Sequence, residues 1–356
     1  MINAPIDRPA ALLSTLATQL AGSKRVQPST HAPPPEALRP SDHFSSLLFS
    51  SIRNSSIEFC LLFSLSAVAS GEIVPWDVDV PGSMSLAEVS CLMWTASVFR
   101  KLYNSYLEAV YFSCPAFRTQ PPREHALAKD KDLCGRDRAQ LKMIERHDLL
   151  TLLSQFALDL AIYYMLPGFY PAAKSDPQGW ATRVCKLVLN HYVLSFGMYW
   201  MHRYLHVNSF LWEKIHSFHH WAKHPLSRNT YQDHWLDNLL NALVGHVAAQ
   251  LIVPLDNTMF WASRLIRIAE SLEKHSGVSC HWNLAHTMQS WLPYAQMPHH
   301  HDWHHEGHKS CNFTFTAIGG VWDCVFGTRK MGRADREAAT CATAEDQKAI
   351  AAKHER

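Results

Sequence analysis

Residues 301–305 read HDWHH, and residues 216–220 read HSFHH. A pair four residues apart, His202 and His206, precedes both stretches. On a helix, residues spaced by three or four lie on one face. Each stretch therefore places two imidazoles on the same helix face, with a third next to them. Imidazole is the commonest side-chain ligand of transition metals. The pattern therefore predicts a metal site built on short helices.

The number of histidines in these motifs indicates more than one metal ion. The pair and the two His-x-x-His-His stretches supply eight imidazoles, which exceeds what a mononuclear site can use. Two isolated histidines, at 234 and 275, lie among polar residues and extend the set to ten. The predicted ligands are His202, His206, His216, His219, His220, His234, His275, His301, His304 and His305. Iron, copper, nickel and zinc all suit such a set, and spacing does not choose among them.

Histidine is concentrated in one part of the chain. Of the 23 histidines, 18 lie between His191 and His308. They are internal and spaced, unlike an expression tag. The histidines outside the repeated spacings are interpreted as surface or hydrogen-bonded residues and not as ligands. His300 could be either a ligand or one of these residues. The members of the first set are His224, His246, His281, His286, His299 and His308.

Composition excludes two broad classes of protein. The 33 basic and 31 acidic residues give a formal net charge of +2, whereas nucleic-acid-binding proteins usually carry a clear basic excess. The nine cysteines are odd in number and never form a Cys-x-x-Cys pair, which is unlike a disulfide framework or a thiolate zinc site.

Interrupted apolar segments precede the histidines, at residues 59–69, 86–99, 149–166 and 187–201. None is an unbroken run of about 18 apolar residues, so each alone is a weak transmembrane signal. Together they predict membrane helices, with a soluble helical bundle as the alternative. Eight Lys or Arg residues lie between Cys114 and Leu149, and they predict a cytosolic loop by the positive-inside rule.

A helical hairpin is predicted between the histidine motifs. Residues 239–253 are apolar, Pro254 interrupts them, and residues 259–268 resume with helical spacing. Proline removes a helix hydrogen bond, and Asp256 and Asn257 favour a new N-cap. A chain that turns here brings the histidines before and after it to the same side.

The chain divides into four predicted regions. Residues 1–45 are rich in Pro, Ser, Thr and Ala and are predicted to be disordered. Residues 46–185 form the membrane-helix region with its basic loop, and residues 186–332 form the catalytic region. Residues 333–356 form a charged C-terminal tail.

The order of motifs resembles the sterol desaturase and fatty acid hydroxylase superfamily over roughly residues 199–329. Beyond the histidine motifs, residues 273–277 read EKHSG, residues 311–313 read CNF and residues 326–328 read FGT, all as in that family. This ending is most similar to methylsterol monooxygenases and cholesterol 25-hydroxylase-like enzymes. The chain departs from the family at residues 234–237, which read HWLD where HPLE is usual, and this puts substrate identity in doubt.

The resemblance implies an all-α, integral membrane helical bundle with a cytosolic, histidine-rich di-metal cap. It implies a multi-pass protein of the endoplasmic reticulum membrane whose catalytic side faces the cytosol. The cofactor would be two iron ions, O₂ the co-substrate, and a membrane lipid, most of all a sterol, the compound hydroxylated. The sequence has no haem, flavin or nicotinamide motif, so electrons would come from a partner such as cytochrome b5 and its NAD(P)H reductase.

Three acidic residues are candidate catalytic residues near the predicted ligands: Asp302, Asp233 and Glu273. Such carboxylates can accept the distal N–H of a ligating imidazole and fix its tautomer. Asp237 could play the same part or be an ordinary surface acid.

Other activities fit the same spacing. Within the superfamily these are sphingolipid or fatty-acyl hydroxylation, sterol desaturation, carotenoid hydroxylation and aldehyde deformylation. Outside it, a histidine-rich metal carrier without catalytic activity would also need many imidazoles. A carrier can release its metal through accessible ligands, whereas an oxidase needs a closed site.

Overall fold

The computed structural model of the protein describes residues 82–114, 117–120, 138–172, 178–222, 224–280, 282–285, 294–306 and 310–330. Within these ranges the regular structure is helical, and β pairing is limited to isolated bridges. The predicted all-α class is confirmed. The predicted disordered segment 1–45, the apolar segment 59–69 and the tail 333–356 lie outside the described residues, as do His281, His286 and His308.

Three long helices carry the predicted apolar segments. They are α1 (Leu86–Ser113), α2 (Arg138–Met165) and α3 (Trp180–Val207), each of 28 residues. The basic loop was expected to continue to residue 149, and this was wrong, because α2 begins at Arg138. No helix among the described residues combines the length and the apolar character that a membrane crossing requires.

Shorter helices follow and carry most of the histidines. They are α4 (Ser209–Lys214), 3₁₀ helices at His216–Trp221 and Ser227–Tyr231, α5 (Trp235–Ala242), a π-helix at Leu243–Val247, α6 (Ala248–Ile252), α7 (Asn257–Lys274), α8 (Pro298–His305) and α9 (Gly320–Val325). The π-helix joins α5 to α6 within one continuous helical segment, which the hydropathy pattern did not predict.

The predicted hairpin is confirmed. The helical segment ends at Ile252, and α7 begins at Asn257 with Asp256 as its N-cap, whose side chain accepts the Met259 N–H at 3.1 Å. The same carboxylate pairs with Arg183 on α3 at 2.7 Å. This ion pair therefore ties the turn to the start of the long helix.

A buried apolar cluster fixes the start of α7 against α1 and α2. Leu255, Met259 and Phe260 pack with residues from the start of α1 and with Tyr170, just after α2. The Tyr170 hydroxyl donates to Asp159 on α2 at 2.6 Å, so this buried phenol is satisfied. Burial here holds α7 in place for the ligand that follows its last turn.

The π-helix and α3 approach each other through glycine. A Cβ atom added to Gly197 would lie 2.1 Å from the Val244 carbonyl oxygen, and one added to Gly245 would lie 2.7 Å from Met198 Cγ. Real Cβ atoms do not come as close to a backbone oxygen as the one at residue 197 would, so glycine is required at this position.

We expect Gly197→Ala to lower the free energy of unfolding by about 1–3 kcal/mol, the usual cost of overpacking. Thermal unfolding of the purified protein measures the loss. Gly179→Ala is the control, because a Cβ there meets nothing within 4 Å, and it should cost at most about 1 kcal/mol as an N-cap change. Equal losses in the two variants would contradict the close contact.

Candidate metal centre

Nine of the ten predicted histidines lie together, in two adjacent groups. The five-histidine group contains His202, His206, His216, His220 and His304, and the four-histidine group contains His219, His275, His301 and His305. Within each group the ligand nitrogens all lie within 4.8 Å of one another. The groups adjoin, since the His301 and His304 rings are 5.4 Å apart between centroids.

The spacing of the nitrogens is that of ligands around a common ion. In the five-histidine group, His202 Nε2 lies 3.0 Å from His206 Nε2 and 3.2 Å from His304 Nε2. In the four-histidine group, His275 Nε2 lies 3.1 Å from His219 Nε2 and 2.9 Å from His301 Nε2. Two nitrogens bound about 2.1 Å from one ion, at angles between octahedral and tetrahedral, are roughly 3.0–3.4 Å apart.

Backbone carbonyls determine the tautomer of several imidazoles. His202 Nδ1 donates to the Phe313 carbonyl and His304 Nδ1 to the Cys311 carbonyl, both at 2.6 Å. A carbonyl only accepts, so the proton is on Nδ1 and the Nε2 lone pair faces inward. His202 Nε2 and His304 Nε2, at 3.2 Å, therefore have no proton to share when both rings are neutral. A cation between them resolves this arrangement.

The four-histidine group is held in the same way. His275 Nδ1 donates to the Ser271 carbonyl at 2.8 Å and His305 Nδ1 to the Ala222 carbonyl at 3.0 Å. Both rings thus direct Nε2 toward the other members of their group. Hydrogen bonds of this kind orient metal ligands and raise their basicity.

Two carboxylates hold one histidine in each group. Asp237 Oδ2 lies 2.6 Å from His216 Nδ1, and Asp233 Oδ1 lies 2.7 Å from His219 Nδ1. Asn241 donates to the second oxygen of Asp237 at 2.7 Å. Negative charge next to the ligands compensates the positive charge that a metal ion would bring.

Burial keeps most of the imidazoles in the form that binds metal. It lowers the pKa of His202, His216 and His304 well below the usual value, and the same holds in the four-histidine group for His275, His301 and His305. Neutral imidazole is the ligand form, so protons do not compete. For His219, burial opposes protonation, but the adjacent Asp233 carboxylate raises the pKa.

Each His-x-x-His-His stretch is shared between the two groups. His216 and His220 belong to the five-histidine group, whereas His219 belongs to the other. In α8 the division is reversed, since His301 and His305 join the four-histidine group and His304 the larger one. In each stretch, the two histidines that are four residues apart belong to one group, and the histidine between them belongs to the other group.

His234 is the predicted ligand that lies outside both groups. Its Nδ1 accepts the Leu236 N–H at 3.2 Å, which makes it the N-cap of α5, and its ring lies 4.5 Å from the ring of His147. The ten histidines therefore do not all converge as predicted. The cap interaction explains the difference, because it directs the ring toward the start of its own helix.

Two of the three predicted catalytic acids have other described partners. Asp302 accepts from Thr119 Oγ1 at 2.5 Å and from Gln120 Nε2 at 2.7 Å, which ties α8 to residues 117–120. Glu273 accepts from the Tyr103 hydroxyl at 2.5 Å and from the Ala285 N–H at 2.7 Å. These bonds position the helices that carry ligands, whereas Asp233 lies against a ligand directly.

The closing motif around residues 311–328 positions the carbonyls that orient His202 and His304. Asn312 has φ of 55°, and its side chain donates to the His300 carbonyl at 2.9 Å. Asp323 accepts the N–H groups of Phe313 and Thr314 at 2.9 and 3.0 Å. The motif thus acts as a scaffold behind the ligands.

Several residues that support the ligands give a weak signal in the sequence or none. Asp237 orients a ligand, and the signal for it was its position four residues after Asp233 on the same stretch. Trp212 lies with its ring 4.9 Å from that of His206, and no spacing rule marked it. The orienting carbonyls carry no side-chain signal at all.

The residues fit a pair of transition-metal ions. The donors are imidazole nitrogens, most of them buried, and the two adjacent carboxylates supply negative charge. The carbonyl bonds turn the Nε2 lone pairs inward for four of the rings, those of His202, His304, His275 and His305. Thiolates do not take part, since neither group includes a cysteine. Nitrogen donors of this kind suit iron, copper, nickel and zinc.

Comparisons with known proteins show what this region is similar to. Residues 187–328 match the family model described as fatty acid hydroxylase. Methylsterol monooxygenase 1-3 of Arabidopsis thaliana is 27% identical over 41% of this chain and 48% of its own length. The very-long-chain aldehyde decarbonylase GL1-10 of Oryza sativa subsp. japonica is 28% identical over 41% of this chain and 46% of its own length.

The similarity is partial for most relatives. A putative methylsterol monooxygenase of Dictyostelium discoideum is 25% identical over 65% of this chain and 85% of its own length. The chain spans about half the length of the first two relatives. No solved structure is significantly similar to the chain.

We expect His304→Ala and His219→Ala each to reduce the bound metal from about two ions per chain to one or fewer, because each removes a ligand bond. Elemental analysis of purified protein measures this. His234→Ala is the matched control and should keep both ions. Loss of metal in that variant equal to the loss in the other two would show that His234 is a ligand.

Asp237→Asn should weaken metal binding by about 10–100-fold, the usual effect of removing an orienting carboxylate. Competition with a chelator measures the affinity. Asp302→Asn should instead lower the free energy of unfolding, by about 1–3 kcal/mol, since it disturbs buried hydrogen bonds to Thr119 and Gln120. Weaker metal binding in Asp302→Asn and a lower free energy of unfolding in Asp237→Asn would instead show that Asp302 orients a ligand and Asp237 does not.

Proposed function

We propose that this chain, whose histidine-rich region belongs to the sterol desaturase and fatty acid hydroxylase superfamily, is an O₂-dependent di-iron enzyme that oxidises a C–H bond of a membrane lipid. The observation that carries the proposal is the pair of adjacent histidine groups, with five and four inward-facing imidazoles. Two ions held side by side are what a two-metal oxidase requires.

The histidines of both groups would hold two iron ions, which when bound supply the activation of O₂ toward an unactivated C–H bond. The chain's own part is orientation and exclusion of water. Phe315 stacks on His202 at 4.1 Å and lies 5.6 Å from His301, so one apolar ring contacts both groups. Phe313 adds a second apolar wall, 5.7 Å from His304.

The proposed reaction needs electrons from outside the chain. Hydroxylation combines the lipid C–H with O₂, two electrons and two protons to give the alcohol and one water. The sequence contains no haem, flavin or nicotinamide motif, so we assign the electrons to a partner such as cytochrome b5 with its NAD(P)H reductase.

A sterol is the proposed substrate, because the relatives include several proteins named methylsterol monooxygenase. A second candidate is a long-chain aldehyde, because other relatives are named very-long-chain aldehyde decarbonylase. Both kinds of substrate are apolar lipids, so both require an approach from an apolar phase.

We further propose that the protein resides in the endoplasmic reticulum membrane with its metal site on the cytosolic side. Exposed apolar residues on α3 support a membrane contact: Leu189, Phe196, Trp200 and Val207. Their spacings of seven, four and seven residues place them near one face of the helix. A row of exposed large apolar side chains is typical of a membrane or protein contact.

The test is oxidation by the purified, iron-loaded chain with an electron donor system and ¹⁸O₂. A methylsterol, a fatty-acyl lipid and a very-long-chain aldehyde are supplied separately, and products are identified by mass spectrometry. We expect ¹⁸O in an oxidised methylsterol and none with His304→Ala.

The other outcomes discriminate among the alternatives. If only the aldehyde reacts, and its chain is shortened, the protein is an aldehyde decarbonylase. If only the acyl lipid gains ¹⁸O, the protein is a fatty-acyl hydroxylase. A protein that binds two ions but oxidises none of the three would contradict the enzyme proposal and favour a metal carrier.

A further inference from the structure

We propose that the two metal positions exchange their ions in a fixed order, that the five-histidine group exchanges first, and that Trp212 is the cover that limits this exchange. The inference rests on the proposed two-ion site. It concerns how ions enter and leave, which the oxidation reaction does not determine. Burial, ring contacts and hydrogen bonding of the ligands each support it.

The two groups differ in burial. Each member of the four-histidine group is at most 3% exposed. In the five-histidine group, His206 is half-buried and lies in the last turn of α3. An ion in the four-histidine group is therefore enclosed by protein, whereas in the other group His206 and His220 are only partly buried.

Trp212 lies against these two histidines. It is half-buried on α4, and its ring centroid lies 4.9 Å from that of His206, 5.2 Å from that of His220 and 5.9 Å from that of His216. A half-buried ring in contact with three ligand rings lies between them and solvent. Its movement would open the five-histidine group without disturbing the other.

Two of the three rings that Trp212 contacts, those of His206 and His220, are weakly anchored. His202, His216 and His304 each have a hydrogen-bond partner at Nδ1. His206 Nδ1 and both ring nitrogens of His220 have none outside the group. These two imidazoles can turn away from an ion without breaking a hydrogen bond to the scaffold.

Release from the four-histidine group would need a larger opening. Its ligands come from the 3₁₀ helix His216–Trp221, from the end of α7 and from α8. His275 and His305 are hydrogen-bonded at Nδ1, and His219 Nδ1 lies 2.7 Å from the Asp233 carboxylate. His301 Nδ1 lacks a hydrogen-bond partner, but this residue is completely buried. Exchange here requires separation of packed helices, so it is slower.

The experiment follows release of Co²⁺ from the loaded full chain into an excess of a chromogenic chelator. We expect two phases of one ion each. The fast phase should be absent in His206→Ala, which assigns it to the five-histidine group. Trp212→Ala should accelerate the fast phase by about tenfold, the scale of a few lost ring contacts, and leave the slow phase unchanged.

Two further variants separate covering from general destabilisation. Trp212→Phe keeps a ring and should release Co²⁺ nearly as the unmodified chain does. Trp180→Ala removes an exposed tryptophan 22 residues before His202 on the same helix, about 33 Å away along the axis, and should change neither phase.

Release of both ions at one rate, or acceleration of only the slow phase by Trp212→Ala, would overturn the inference while leaving the proposed function intact. If Trp212→Ala does not fold, the inference can still be tested with His206→Ala. A fast phase that persists in that variant would overturn the inference. A chain that binds no Co²⁺ at all would instead overturn the two-ion site on which the proposed function depends.

Discussion

The rest of the structure depends on one electrostatic constraint, which is that unprotonated imidazole nitrogens face each other in a buried space. His202 and His304 each donate from Nδ1 to a carbonyl, so their Nε2 lone pairs meet 3.2 Å apart. Such an arrangement is unfavourable unless a cation lies between the lone pairs. The fold therefore stabilises an environment that a metal ion completes, and metal binding and folding are expected to be coupled.

This constraint explains why distant parts of the chain are held together so closely. Each His-x-x-His-His stretch contributes to both groups, so neither group can form from one stretch alone. The hairpin at Pro254 returns the chain to place His275 beside His219, and the closing motif supplies the carbonyls for His202 and His304. Asp323 and Asn312 are thus as much a part of the site as the ligands, although they touch none of the facing nitrogens.

Much of the fold and site could be predicted from the sequence, because ligand spacing and helix periodicity are both local properties. The turn at Asp256 and the nine clustered histidines follow from such patterns. His234 lies outside both groups and caps α5, because polar neighbours suit an N-cap as well as a ligand. The sequence favoured Asp302 over Asp237, whereas the structure places Asp237 and not Asp302 against a ligand, because the partner of a buried carboxylate depends on long-range packing. The π-helix left no trace in hydropathy, because it changes backbone hydrogen bonding and not side-chain character.

The π-helix also sets how residues before it and residues after it are rotated relative to each other about the helix axis. A π turn accommodates one more residue than an α turn, and in an α-helix one residue corresponds to about 100° of rotation. Asp237, which holds His216, lies before this turn, and Ala249, which packs with Leu194 and Met198 of α3, lies after it. The extra residue therefore sets the angle between these two contacts around the helix axis. Sequence length at Leu243–Val247 is therefore itself a determinant of the site: a homologue shortened by one residue there would have to reorient either its carboxylate or its packing face.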